Sequence, residues 1–236
     1  KRAGDDGIIT AEEYSGSETS VTFVDGYQFN RGYLSPYFVT NADKMEAVLD
    51  NPYILLYDKK ISNMKELLPI LEQVVQSGRP LLIIAEDVDG EALTTLVVNK
   101  VQRNIPFCVV AAPEFGSRKD ELMEDISILV SGVYFNSDKG YSLATAKSTD
   151  LGSAAKVIVK KDSCTIVSGG GNIEKRIAQI KNLLEEAEND LDKSWFKHRL
   201  TKLNSSAAII HVGGLSEIEI KEKKDRFDDA ICATKA

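Results

Sequence analysis

The sequence predicts an α/β fold with a parallel-containing β-sheet core flanked by helices, and three observations carry that reading. From Pro80 the chain alternates strand and helix: an apolar run from Pro80 to Ala85, a helical pattern from about Gly90, a strand from Ile105 to Ala112, a helical pattern from about Ser117, then Gly132 to Phe135. Upstream, Tyr53-Ile54-Leu55-Leu56-Tyr57 reads as a further buried strand. The chain of 236 residues, 43% hydrophobic, is long and apolar enough to bury at least one sizeable core and carry an appendage.

The remaining elements follow from local pattern. Ser20 to Phe29 alternates in part, with Gly26 as an expected bend. Lys156 to Val159 and Cys164 to Val167 flank Lys160 to Ser163 as a hairpin. Ile173 to Asn189 and Leu191 to Leu203 are polar-rich helical patterns close enough to pack as an antiparallel pair. A strand from Ala207 to Val212 precedes a highly charged helix from about Ser216, in which Glu219 and Lys223, four apart, suit a salt-bridged solvated face.

Composition narrows the function classes. The net charge of −7, with acids and bases interspersed and no basic stripe, speaks against a nucleic-acid groove. No apolar stretch approaches the roughly 20 residues of a membrane span, and the amino terminus lacks a signal-peptide apolar region. A cytoplasmic or organelle-matrix location is the expectation. Cys108, Cys164 and Cys232 are odd in number and widely spaced, which signals neither a disulfide framework nor a zinc ribbon. The absence of an initial Met and the helical run at the carboxyl end suit a piece excised from a longer protein.

Two helices carry more apolar surface than a sheet requires. Pro69 fits only a first turn, placing one helix start near Glu66. Leu67, Ile70 and Val74 then form one stripe, and Leu68, Leu71 and Val75 a second, offset by roughly 100°. In the next helix Ala92 and Leu96 suit the core, while Leu93, Val97, Val98 and Val101 widen the apolar arc to about 240°. Either a third layer covers the surplus, the helical pair at 173–203 being the candidate, or it forms an exposed groove for apolar chains.

Longer motifs add a resemblance. Asp25-Gly26-Tyr27-Gln28-Phe29-Asn30-Arg31-Gly32-Tyr33-Leu34-Ser35-Pro36-Tyr37-Phe38, Asp58-Lys59-Lys60-Ile61-Ser62, Pro80 through Val88, Gly90-Glu91-Ala92-Leu93 and Leu96-Val97-Val98-Asn99 occur in order, with Lys221-Glu222-Lys223-Lys224 and Ala233-Thr234 near the end. The chain resembles the apical domain of group I, GroEL-type chaperonins with flanking intermediate-domain segments. The resemblance implies an apical polypeptide-binding domain over 25–207. It implies a small α+β intermediate-domain remnant made of 1–24 and 208–236. It further implies an apolar groove shared by non-native polypeptides and the mobile loop of a GroES-type co-chaperonin. By motif matching the groove residues are Tyr33, Ser35, Tyr37, Phe38, Leu68, Leu71, Leu93, Val97 and Val98.

Other implied roles follow position by position. Asp229 matches the aspartate that helps position metal and water for ATP hydrolysis, so the full-length protein would use ATP and Mg while this stretch acts without cofactor, metal or catalysis of its own. Arg31 and Glu217 match an intersubunit pair of the ring formed by the full-length protein. Gly26 holds one hinge, whereas Ser205 and Ser206 stand where the family has a glycine pair, which stiffens the second. Glu114-Phe115-Gly116-Ser117 replaces the usual Gly-Phe-Gly-Asp, and Asn41 replaces the lysine that would face Asp89 in another intersubunit pair.

Catalytic and ligand patterns are weak. Gly169-Gly170-Gly171-Asn172 lacks the Lys-Ser/Thr of a phosphate loop and reads as a turn; Asp87 to Glu91 lacks the later ligands of a calcium loop. His198 and His211 have no triad companions nearby in sequence. Two rival readings stand beside the groove: a small-molecule site at the strand ends, where Glu86, Asp87 and Glu114 gather, and a structural spacer whose apolar face is covered.

Overall fold

A computed structural model of the chain describes residues 8–14, 16–103 and 105–235. The chain forms two units, Gln28–Leu203 and a smaller one made of Lys1–Tyr27 with Asn204–Ala236.

In the smaller unit, β1 (Ile8–Glu13) runs parallel to β12 (Ser206–Val212), and β12 pairs antiparallel with β2 (Ser20–Phe29), with Ala207 opposite Val24. Helix α6 (Glu217–Lys235) is tied to β1 by Lys224 Nζ on Glu13 at 3.0 Å. The expected Glu219–Lys223 pair forms at 2.8 Å, and the ammonium holds the Glu219 carboxyl below its ordinary value. The bend expected at Gly26 is corrected: β2 continues through it to Phe29, and its N–H donates to Ser205 O at 3.1 Å.

The larger unit is built on strand order β11-β10-β4-β6-β8. The strands are β4 (Tyr53–Tyr57), β6 (Leu81–Ala85), β8 (Phe107–Ala111), β10 (Gly152–Val159) and β11 (Cys164–Gly169), with β3 (Ala47–Asp50) on β10 and β9 (Tyr134–Phe135) on β4. β4, β6, β8 and β9 are mutually parallel. All five residues of β6 are buried, as a strand covered on both faces requires. The hairpin predicted around Lys160–Ser163 closes with Val159 opposite Cys164 and Lys160 N–H on Ser163 O at 2.8 Å. A small parallel pair, β5 (Lys60–Ile61) with β7 (Asp87–Val88), stands beside this sheet.

Helix α1 (Leu68–Ser77) joins β4 to β6, and α2 (Gly90–Arg103) joins β6 to β8. Helix α3 (Gly116–Leu129) leads back from β8 to β9 on the far side of β4. Right-handed crossovers place α1 and α2 side by side on one sheet face and α3, whose connection runs the opposite way across the sheet, on the other. Helices α4 (Glu174–Glu186) and α5 (Asp190–Leu203) form the expected antiparallel pair. Gly171 precedes it because a Cβ there would lie 1.7 Å from Ile128 O.

Candidate functional site

Helix α1 begins two residues later than expected, after a 3-10 turn at Met64–Glu66, with Pro69 in its first turn and Gly78, at φ 70°, ending it. Leu67, Ile70 and Val74 are fully buried, as the first stripe predicts. The second stripe splits. Leu68 and Val75 are each 46% exposed, whereas Leu71 is buried.

The flank of α1 that these residues occupy is fixed by its opposite side. Gln73 donates to Ala146 O at 3.4 Å and accepts from Ser148 N–H at 2.9 Å. That segment leads into β10, which pairs with β4 on the side away from β6. The flank bearing Leu68, Leu71 and Val75 therefore faces α2.

On α2, Ala92 and Leu96 are buried, Val98 is 41% and Val101 61% exposed, and Leu93 and Val97 are half-buried. The outer flank of α2 meets the 3-10 turn Pro36–Phe38, which is held along the β8 edge by Leu34 N–H on Val109 O at 2.9 Å. Since α1 and α2 run in the same direction, helical rotation turns Leu93 and Val97 toward that turn, and Val98 outward and toward α1. The result is two shallow troughs sharing α2 as their common wall. Leu68, Leu71, Val75 and Val98 line one; Leu93, Val97 and the segment from Tyr33 to Tyr37 line the other.

Not every matched residue belongs to that surface. Tyr37 is 65% exposed and Tyr33 half-buried, but Phe38 is fully buried. The buried Ser35 accepts from Tyr37 N–H at 3.4 Å, an N-cap that shapes the turn. Phe38 and Ser35 thus support the surface, and Leu71 forms its floor. Val75 and Val101 are exposed members absent from the motif match, although both stand in the apolar arcs of their helices.

The proposed cover lies elsewhere. Asp125 of α3, fully buried, accepts from Arg176 Nε of α4 at 2.7 Å and from Arg199 Nε and Nη2 of α5 at 2.8 and 2.9 Å. Glu124 takes Arg176 at 3.1 Å, and Glu121 takes Trp195 Nε1 at 2.8 Å and also Arg199 Nη1. The helical pair is thereby pinned to α3, on the sheet face opposite α1 and α2.

Two of the three strand-end acids that favoured a small-molecule site, Glu86 and Asp87, are engaged by the chain's own lysines. Glu86 lies 3.8 Å from Lys119, and Asp87 and Asp89 lie 3.3 and 2.5 Å from Lys60. Glu114 adopts φ 58° before α3. Asp58 accepts Ser137 N–H and Oγ–H through Oδ2, at 3.1 and 2.8 Å. Among the described residues no three His, Cys, Asp or Glu side chains gather as a metal-holding group, and no helix is long and apolar enough to cross a membrane.

Arg31 lies over the exposed Phe115 ring at 4.9 Å. Asp229 and Glu217 are exposed on α6; Asn41 caps its own turn by accepting from Lys44 N–H. His198 stacks on Trp195 and His211 meets Tyr14 edge-on. Cys108 and Cys164 are buried and Cys232 exposed, all three free. The model of the TCP-1/cpn60 chaperonin family matches residues 2–236, and the chain belongs to that family.

Proposed function

We propose that this chain is the polypeptide-binding apical part of a GroEL-type chaperonin with flanking intermediate-domain segments, and that the α1–α2 surface captures non-native polypeptides and the mobile loop of a GroES-type co-chaperonin. The observation that carries this is the exposure of Leu68, Val75, Val98 and Val101 on neighbouring helices, while the helical pair able to cover them is pinned to α3. Burial of apolar area is non-directional at about 25 cal/mol per Å², so such a surface selects for exposed hydrophobic chain rather than for a sequence. Tyr33 and Tyr37 add hydroxyls beside it.

In the full-length protein, ATP and Mg would drive release within a ring. Asp229 would contribute one carboxylate to that chemistry, and Arg31 and Glu217 would pair between subunits. Gly26 with Ser205 and Ser206 would form the hinges, and the proposed location is the cytoplasm or an organelle matrix.

The test is suppression of aggregation of a chemically denatured test protein by an equimolar amount of the chain. Leu68→Glu and Val98→Glu are expected to weaken capture by about tenfold or more, about 1.4 kcal/mol. Their stability should stay within about 0.5 kcal/mol of the parent, because both side chains face solvent. Unfolding of both variants would assign these residues to the core, and suppression unaffected by either would remove the groove reading.

A further inference from the structure

The trough between α1 and α2 is apolar along its floor but not along its rim. On α1, Leu68, Glu72 and Val75 are all exposed and follow at spacings of four and three, so Glu72 stands between the two apolar residues along the ridge, its Cβ about 5–6 Å from that of each neighbour. Among the described residues Glu72 forms no ion pair. The exposed Lys65 precedes the helix in the 3-10 turn.

The facing wall of α2 presents Thr95, Asn99 and Gln102, uncharged, with Glu91 exposed at its first turn. Lys100 lies on the other flank, toward the Pro36–Phe38 turn, and Arg103 ends the helix. The charges that the two helices carry along the rims of this trough, Glu72 and Glu91, are therefore both negative.

We propose that the trough selects apolar segments that also carry a lysine or arginine, with Glu72 as the specificity-determining residue. This rests on the groove reading above. A chain laid over Leu68 and Val75 covers the carboxylate between them and strips its water, which is unfavourable unless the incoming chain supplies a partner. Lysine and arginine meet both demands: their methylene stems lie along leucine and valine while the charged end reaches the carboxylate. A segment with an acid at the same place meets repulsion instead.

The experiment uses three end-blocked, fluorescently labelled 12-residue peptides rich in leucine and valine, differing only in one central lysine, glutamine or glutamate. Their anisotropy titrations are run against the whole chain and its folded Glu72→Gln and Val98→Glu variants. The lysine peptide should bind about threefold more tightly than its glutamine twin and about tenfold more tightly than the glutamate one at low salt. The ratios should shrink at high salt. Most of the preference should vanish in Glu72→Gln, which separates this carboxylate from the general attraction of a chain of net charge −7. Equal binding of the three peptides, or a preference intact in Glu72→Gln, overturns the proposal; if Val98→Glu still abolishes binding, the groove itself stands. Failure of all three to bind overturns both.

Discussion

Leu68 and Leu71 sit three residues apart on α1 and meet opposite fates, exposed and buried. Spacing alone places them in one stripe, but Leu71 lies only about 40° around the helix from the buried Leu67, whereas Leu68 lies about 100° away. The sequence carries the period; where the sheet stops covering the helix depends on neighbours distant in the chain. The same holds for Phe38, fully buried at the end of a segment that joins the β8 edge through Tyr33. The cysteines give a sharp expectation at this scale. A thiol reagent should label Cys232 in the native protein and reach Cys108 and Cys164 only after denaturation; fast labelling of all three would contradict the described core. Burial pushes the Cys108 thiol up from 9.0 to about 12, and burial followed by the Glu66 and Asp58 carboxylates pushes Tyr57 up from 10.0 to about 12. Folding therefore favours the protonated forms. Their contribution is complete below about pH 9 and declines as pH rises toward 12, so denaturant midpoints should fall across that window and a flat profile would refute it.

Among elements, the parallel strands and the charged helical pair were legible because apolar runs and helical periods are local properties. β1 and β3 were not: β3 is four residues long, and β1 gains its partner β12 from the far end of the chain. The docking of α4 and α5 was also hidden, since nothing local sets Arg176 and Arg199 apart from the other charged residues of their helices until Asp125 meets both. Removing that buried carboxylate leaves Arg176 and Arg199 only their outer partners, Glu124 and Glu121, and Asp125→Ala should destabilise the pair's attachment by about 3 kcal/mol. Trp195, the single tryptophan, reports it through its bond to Glu121, so its emission should shift to the red. Hydrogen exchange should quicken in α4 and α5 while β4, β6 and β8 stay protected. Uniform exchange across all elements would show that the network stabilises the whole unit instead.

At the scale of the molecule, the order of strands decides what the helices can do. Connections running β4 to β6 to β8 put α1 and α2 together on one face, and the return to β9 sends α3, with the pair pinned to it, to the other. The surplus apolar surface was visible in the sequence, but the absence of the helical pair as its cover was a matter of topology that no local pattern encodes. The most direct measurement places a photo-crosslinking residue at Val75 or Val98 on one face, and at Leu183 or Leu191 on the helical pair, all four being exposed apolar positions. Each protein is then irradiated with a denatured and with a native test protein. Crosslinks to the denatured chain alone, formed at Val75 and Val98 and not at Leu183 and Leu191, are the expected result. Equal crosslinking at all four positions, or crosslinks from the helical pair only, would contradict capture on the α1–α2 surface.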